Sequence, residues 1–240
     1  MARANASGSL TVICKVAHGR RNVDRLKLET DIYVRNLRDL QGSVVPNMLG
    51  CFTGQTQEGW DVGVLLLEDW GRALGWPLYS YSLSIRAKVL HALVAIHRAG
   101  VRHGDFKPRN ILAKKRADGN FAIRIIDFDR AQTPHECSYR PVDPRFTFYE
   151  NPPDVSEFGC YELYDACENA ELWFNTYIYW NGQSRSIEHL ADPVLAVQSF
   201  GCPENMEEQE AIATMTIHMK SIRETWEKRK KMDENPMVPG

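Results

Sequence analysis

The chain opens its regular patterning at residues 10–17, LTVICKVA, a run rich in β-branched side chains that predicts a strand with Thr11, Ile13, Lys15 and Ala17 on one face. A lysine therefore points the same way as apolar neighbours. The next segment, VDRLKLETDIYVRNLRDL (23–40), places Leu26, Tyr33, Leu37 and Leu40 on a helical stripe, and Glu29 falls on that same stripe. Asp31 lies about 200° around the helix from Glu29 and should face elsewhere. QGSVVPN breaks the helix, and MLGCFTG and WDVGVLLLED then predict two strands around the polar turn QTQEG.

A connector, GRALGWP (71–77), leads into SLSIRAKVLHALVAIHRAG, an amphipathic helix with Ser84 as its expected cap, Gly100 as its stop, and Ile85, Val89, Leu93 and Ile96 as its core stripe. NILAKK and FAIRIIDFD flank the turn residues Asp118, Gly119 and Asn120 and predict a hairpin. Residues Gln132 to Pro153 are proline-rich and read as an irregular surface excursion, after which helical patterns return at VSEFGCYELYDACENAELWFN. A last helix, about 205–231, carries Ile212, Met215, Met219, Ile222 and Trp226 at spacings of three and four. That stripe is too short for a coiled coil and is expected to pack on its own lobe. DENPMVPG reads as a frayed tail.

With 240 residues, 43% of them hydrophobic, the chain can bury a sizeable core. A net charge of −2 calls for neither nucleic acid nor an acidic membrane as partner. The basic cluster Glu227 to Lys231 reads as a solvated helix end, with a nuclear address as the alternative. MARANASGSL lacks a long apolar stretch and no transmembrane-length apolar run follows, so an intracellular, cytoplasmic protein is expected. The six cysteines show no CxxC spacing and read as packing thiols; His135 and Cys137 in PHEC form half a metal site without a second ligand pair at sensible spacing.

The chemistry concentrates in RHGDFKPRNIL (102–112), at the joint between the amphipathic helix and the hairpin. His103, Asp105, Lys107, Pro108 and Asn110, followed by Asp127 in IIDFD, resemble the catalytic loop and metal-binding aspartate of the protein-kinase-like superfamily. Gly104 resembles the aminoglycoside and choline phosphotransferase branch, whereas Lys107 and Pro108 resemble the Ser/Thr protein-kinase branch. The hybrid loop looks most like the protein-kinase-like domains common in fungi.

The resemblance implies an α+β, two-lobed fold that uses ATP and Mg²⁺. It assigns Asp105 to the acceptor hydroxyl, Lys107 to the transferred phosphate, and Asn110 and Asp127 to the metal. His103 would brace the loop, and Asp129, where the family usually has glycine, would support a metal ligand or cap the next turn. Lys15 resembles the strand lysine that holds the α and β phosphates, and Glu29 its helix partner. The stripe argument supports Glu29 independently, because a carboxylate on an apolar face is costly without a partner. Ile13 would cover the adenine, Leu67 would gate the back pocket, and the backbone of Glu68 and Trp70 would face the adenine edge.

The expected division is a first lobe at 10–70, lacking the family's first two strands and glycine-rich loop, a mainly helical second lobe at 71–232, and a disordered tail at 233–240. The implied function is transfer of a phosphate from ATP to a hydroxyl, in a protein Ser/Thr or in a small molecule. A catalytically weak nucleotide-binding or scaffold protein is the other reading.

Overall fold

The structure, a computed structural model, describes residues 11–139, 146, 148–188 and 190–239. It is an α+β fold that divides into two compact units, one built from the chain up to Arg145 with Asp154–Ala170 and Met237–Gly240, the other from Phe146–Pro153 and Glu171–Pro236.

In the first unit, β1 (Val12–His18), β2 (Met48–Gln55) and β3 (Asp61–Glu68) form an antiparallel sheet with β3 in the centre. β1 and β3 pair in a register that sets Ile13 opposite Leu67 and Lys15 opposite Leu65, so these four side chains share a face. Helix α1 (Arg20–Arg35) packs against the sheet through Val23 and Leu26. Gly63 in β3 permits the approach, because a Cβ there would stand 2.9 Å from the Leu26 side chain. Glu29 is fully buried and Asp31 is exposed, as the stripe requires.

Helix α1 stops at Arg35 rather than continuing to Leu40, and a short 3₁₀ turn, Arg38–Leu40, follows. The reason is a competing donor. The Gln41 side chain takes the Tyr33 carbonyl at 3.0 Å, and Leu37 N–H turns to Ile32 O at 2.9 Å. Leu37 stays buried in spite of the break.

A second antiparallel sheet joins β4 (Arg72–Ala73), β5 (Ile111–Lys115) and β6 (Phe121–Ile125) in that order, with the expected β5–β6 hairpin. Helix α2 (Leu83–Arg98) buries Ile85, Val89, Leu93 and Ile96. Its cap is Ser82 and not Ser84: the Ser82 hydroxyl accepts from Ile85 N–H at 3.4 Å, while Ser84 already lies in the first turn. Helices α3 (Val155–Phe158) and α4 (Tyr161–Asn169) complete this unit, and Met237 joins it by donating its N–H to Ser80 O.

The second unit holds a hairpin, β7 (Tyr177–Trp180) and β8 (Gln183–Ser186), with helices α5 (Pro193–Phe200) and α6 (Glu208–Glu234). Its core combines Ile178, Trp180, Val197, Met215 and Met219. The hairpin and α5 fall where the hydrophobic pattern predicts no element. The basic cluster is not wholly solvated: Arg229 is buried and pairs with Glu171 and Asp233.

Candidate functional site

The lysine predicted to point with apolar neighbours is drawn to two carboxylates. Lys15 Nζ lies 2.6 Å from Glu29 Oε2 and 2.5 Å from Asp127 Oδ1. Glu29, with no exposed surface, spends its other oxygen on the backbone N–H of Phe128 at 3.1 Å. One buried carboxylate thus ties β1 to the segment just after β6, bridging positions far apart in sequence. Burial lowers the proton affinity of Lys15, but Glu29 and then Asp127 outweigh it, and the ammonium is held above its usual range. Burial pushes the Glu29 carboxyl up, and Lys15 pulls it back only in part.

Asp127 sits at φ +72°, a left-handed backbone conformation that asparagine and aspartate tolerate better than other residues with a side chain. About a third of its side chain is exposed, so it can meet a ligand while Lys15 holds one oxygen. Its neighbour Ile126 donates its N–H to Asn110 O at 2.9 Å, which sets the Asp127 segment against the loop containing Asp105 and Asn110.

That loop is cross-braced throughout. Asp105 accepts from Lys107 Nζ and Arg109 Nη2, each at 2.7 Å, and Asn110 Nδ2 donates to the Asp105 carbonyl at 2.9 Å. Lys107, and then Arg109, hold the Asp105 carboxyl below its ordinary value against the opposing effect of burial. His103, fully buried, accepts from Asp105 N–H at Nδ1 (3.2 Å) and donates from Nε2 to Ile126 O (3.0 Å). Those two bonds require the neutral tautomer, and burial lowers its proton affinity in the same sense.

Glu162, at the start of α4, receives the N–H groups of His103 and Gly104 at 2.8 and 2.7 Å. Gly104 adopts φ +78°, and a Cβ there would stand 2.3 Å from Arg130 O. Glycine is therefore required by the backbone.

At the other end of the site, Ile13 and Leu67 face each other across β1 and β3, with Leu67 buried and Ile13 half-buried. Glu68 points to the opposite face of the sheet, since it pairs with Val12. Its carboxylate accepts from Asn47 Nδ2 and Arg124 Nη1, both at 2.7 Å, and its N–H donates to Asn47 O. The Arg124 guanidinium covers the buried Trp70 ring at 4.2 Å from its centroid, fastening the segment after β3 to β6.

Three contributors escape sequence reasoning. Arg109 had a detectable signal, its i+4 spacing from Asp105. Glu162 and Arg124 had none, because their partners are brought to them by the fold.

Residues 84–139, which contain this loop, match the family model described as the lipopolysaccharide kinase (Kdo/WaaP) family. The mitogen-activated protein kinase mpkC of Emericella nidulans is 34% identical over 110 residues, 44% of this chain and 26% of that protein. The dual specificity tyrosine-phosphorylation-regulated kinase 3 of Rattus norvegicus is 32% identical over 81 residues, 30% of this chain and 14% of that protein. The matched region thus spans about a quarter or less of these relatives' length. A solved structure titled "WaaP in complex with acyl carrier protein" aligns with 19% identity and a TM-score of 0.36, covering 53% of this chain and 56% of that one. No helix among the described residues is long and apolar enough to cross a membrane.

Proposed function

We propose that this chain, a member of the protein-kinase-like superfamily, transfers the γ-phosphate of ATP to a hydroxyl group, with a protein serine or threonine as the acceptor. The observation that carries the reading is the meeting of Lys15 from β1, Glu29 from α1 and Asp127 from the segment after β6, beside a braced Asp105 and Asn110. Phosphoryl transfer asks for positioned cations and hard oxygen donors rather than for covalent chemistry, and that is the set assembled here.

Lys15, held as an ammonium, offers its charge to phosphate oxygens, and buried Glu29 fixes where that charge sits. Asp105 receives the hydrogen bond of the acceptor hydroxyl and orients it; its depressed proton affinity suits an orienting carboxylate better than a strong base. Lys107, 2.7 Å from Asp105, stands by to neutralise charge on the transferred group. Mg²⁺ when bound would neutralise phosphate charge, and Asp127 and Asn110 would hold it. The donor chemistry fits: Asn110 commits its amide nitrogen to Asp105 O, leaving the amide oxygen as its donor, and Asp127 is a partly exposed carboxylate.

Lys107 favours a protein Ser/Thr hydroxyl, and the kinase names of the matched relatives agree with it. The family model over 84–139 favours a sugar hydroxyl instead. Calorimetry with Mg-ADP, comparing the wild type with Asp127→Asn, tests the nucleotide site: binding that depends on Mg²⁺ only in the wild type is expected, and no binding by either would sink the proposal. Labelled ATP offered with a serine/threonine-rich protein and with a sugar acceptor then separates the two acceptors.

A further inference from the structure

We propose that His97, His135, Cys137 and Cys160 bind one structural zinc ion that braces the loop beginning at His103. The sequence presents only half of this set, His135 and Cys137; the other two residues lie on different elements. His97 is in the last turn of α2, and Cys160 immediately precedes α4. The fold brings one ligand atom from each of the four to within 4.8 Å of all the others.

The spacing among His97, His135 and Cys160 is that of three corners of a tetrahedral site, with Cys137 Sγ within 4.8 Å of each as the fourth. Zinc bonds of about 2.0–2.1 Å to nitrogen and about 2.3 Å to sulfur imply ligand separations of about 3.3 Å for N···N and about 3.6 Å for N···S. Observed are 3.1 Å between His135 Nε2 and His97 Nδ1, 3.4 Å between Cys160 Sγ and His97 Nδ1, and 3.8 Å between Cys160 Sγ and His135 Nε2. The two imidazoles meet edge to face at 86°, so their nitrogens can converge on one point without stacking. His97, Cys137 and Cys160 are buried and His135 is partly exposed, and a cavity lined by His97, His135, Cys137 and Tyr139 gives an ion a way in.

The surroundings fit a metal as well. His97 Nε2 lies 2.7 Å from Glu162 Oε2, the carboxylate contact that metal-bound histidines commonly make; it fixes the proton on Nε2 and turns the Nδ1 lone pair towards the cluster. His135 is itself pinned, its N–H donating to Gly100 O at 2.9 Å. All six cysteines are thiols rather than disulfides. Two thiols and two imidazoles are soft and borderline ligands that select zinc over magnesium or calcium, and two thiolates balance the ion's charge. Binding releases two thiol protons.

The ion would join the end of α2, the loop after β6 and the start of α4. Glu162 extends the brace, since the same carboxylate group that orients His97 also takes the N–H groups of His103 and Gly104. Glu162 is thus a positioning residue. This inference does not depend on the phosphotransfer reading, because its readout is metal.

The test is metal analysis of the full chain, purified under reducing conditions, exposed to excess zinc and desalted. About one zinc per chain is expected in the wild type, and less than about a tenth of that in Cys137→Ser/Cys160→Ser. Glu162→Gln should keep the site but weaken zinc affinity about 10- to 100-fold in a chelator competition. Should the double variant not fold, cobalt substitution of the wild type decides, with the strong visible absorption of a tetrahedral thiolate-ligated ion expected. A wild type without bound zinc, a different metal in its place, zinc retained by the double cysteine variant, or an octahedral cobalt spectrum would each overturn the proposal.

Discussion

Replacing Gly104 by alanine separates a steric demand from a lineage marker. Two terms contribute. The first is the left-handed backbone at φ +78°, which costs a residue with a Cβ about 1–2 kcal/mol. The second is the clash: the new Cβ would stand 2.3 Å from Arg130 O, a backbone atom, where real Cβ contacts stay beyond 3.0 Å. Relief requires the loop or the Arg130 carbonyl to move, and movement of the loop strains the Glu162 hydrogen bonds to His103 and Gly104 N–H. Hydrogen bonds to a charged group are worth about 1.5–3 kcal/mol each, so losing one brings the total to about 2.5–5 kcal/mol.

Gly119→Ala supplies the control, since its φ is +82° and nothing lies within 4 Å of its Cβ, leaving only the first term. Both glycines belong to the same compact unit, so both variants should shift the same thermal transition. At about 2–4 °C per kcal/mol, Gly104→Ala should melt at least about 3 °C below Gly119→Ala. Melting temperatures equal within about 2 °C would contradict the steric demand at Gly104.

Three further outcomes are expected. Arg124→Met leaves the Glu68 carboxylate without its cation and bares the Trp70 ring; urea unfolding should show a loss of about 1.5–3 kcal/mol, and a loss under about 0.5 would count against the clamp. Glu29→Ala strands the Phe128 N–H in the interior while Lys15 keeps Asp127, so stability should fall by at least about 2 kcal/mol and Mg-ADP affinity with it; an unchanged affinity would remove Glu29 from the site. Asp105 has its folded-state proton affinity depressed, so the stability it contributes is complete above the usual aspartate value of 3.8 and is lost as pH falls through the lower folded value. Acid unfolding of the wild type should accordingly approach that of Asp105→Asn below that range, and turnover should show no acid limb from this group between about pH 5 and 8.

The meeting of Lys15 with Glu29 was legible because its signals are local. Lys15 and Glu29 each stand on an apolar stripe where an unpaired charge would be costly, and each turned out to be the other's partner. Asp105, Lys107 and Asn110 are close in sequence, and Asp127 lies two residues beyond a readable strand. What stayed hidden depends on contacts between distant segments. Glu162, Arg124 and the His97–Cys160 half of the metal cluster have no partner within a helical turn, and periodicity cannot locate them. The end of α1 was missed for a related reason, since a side-chain amide at Gln41 captured the carbonyl that helix continuation needed. The β7–β8 hairpin is a different case. Asn181 and Gly182, at φ 50° and 74°, form the dipeptide that favours a tight hairpin turn, so its signal was present in the sequence all along.

Phosphotransfer is tested most directly by Mg²⁺-dependent phosphate transfer from ATP by the full chain, measured beside Asp105→Ala at equal folded concentration. The wild type should exceed the variant by at least about 10²-fold. Equal rates for the two proteins would contradict the proposed function.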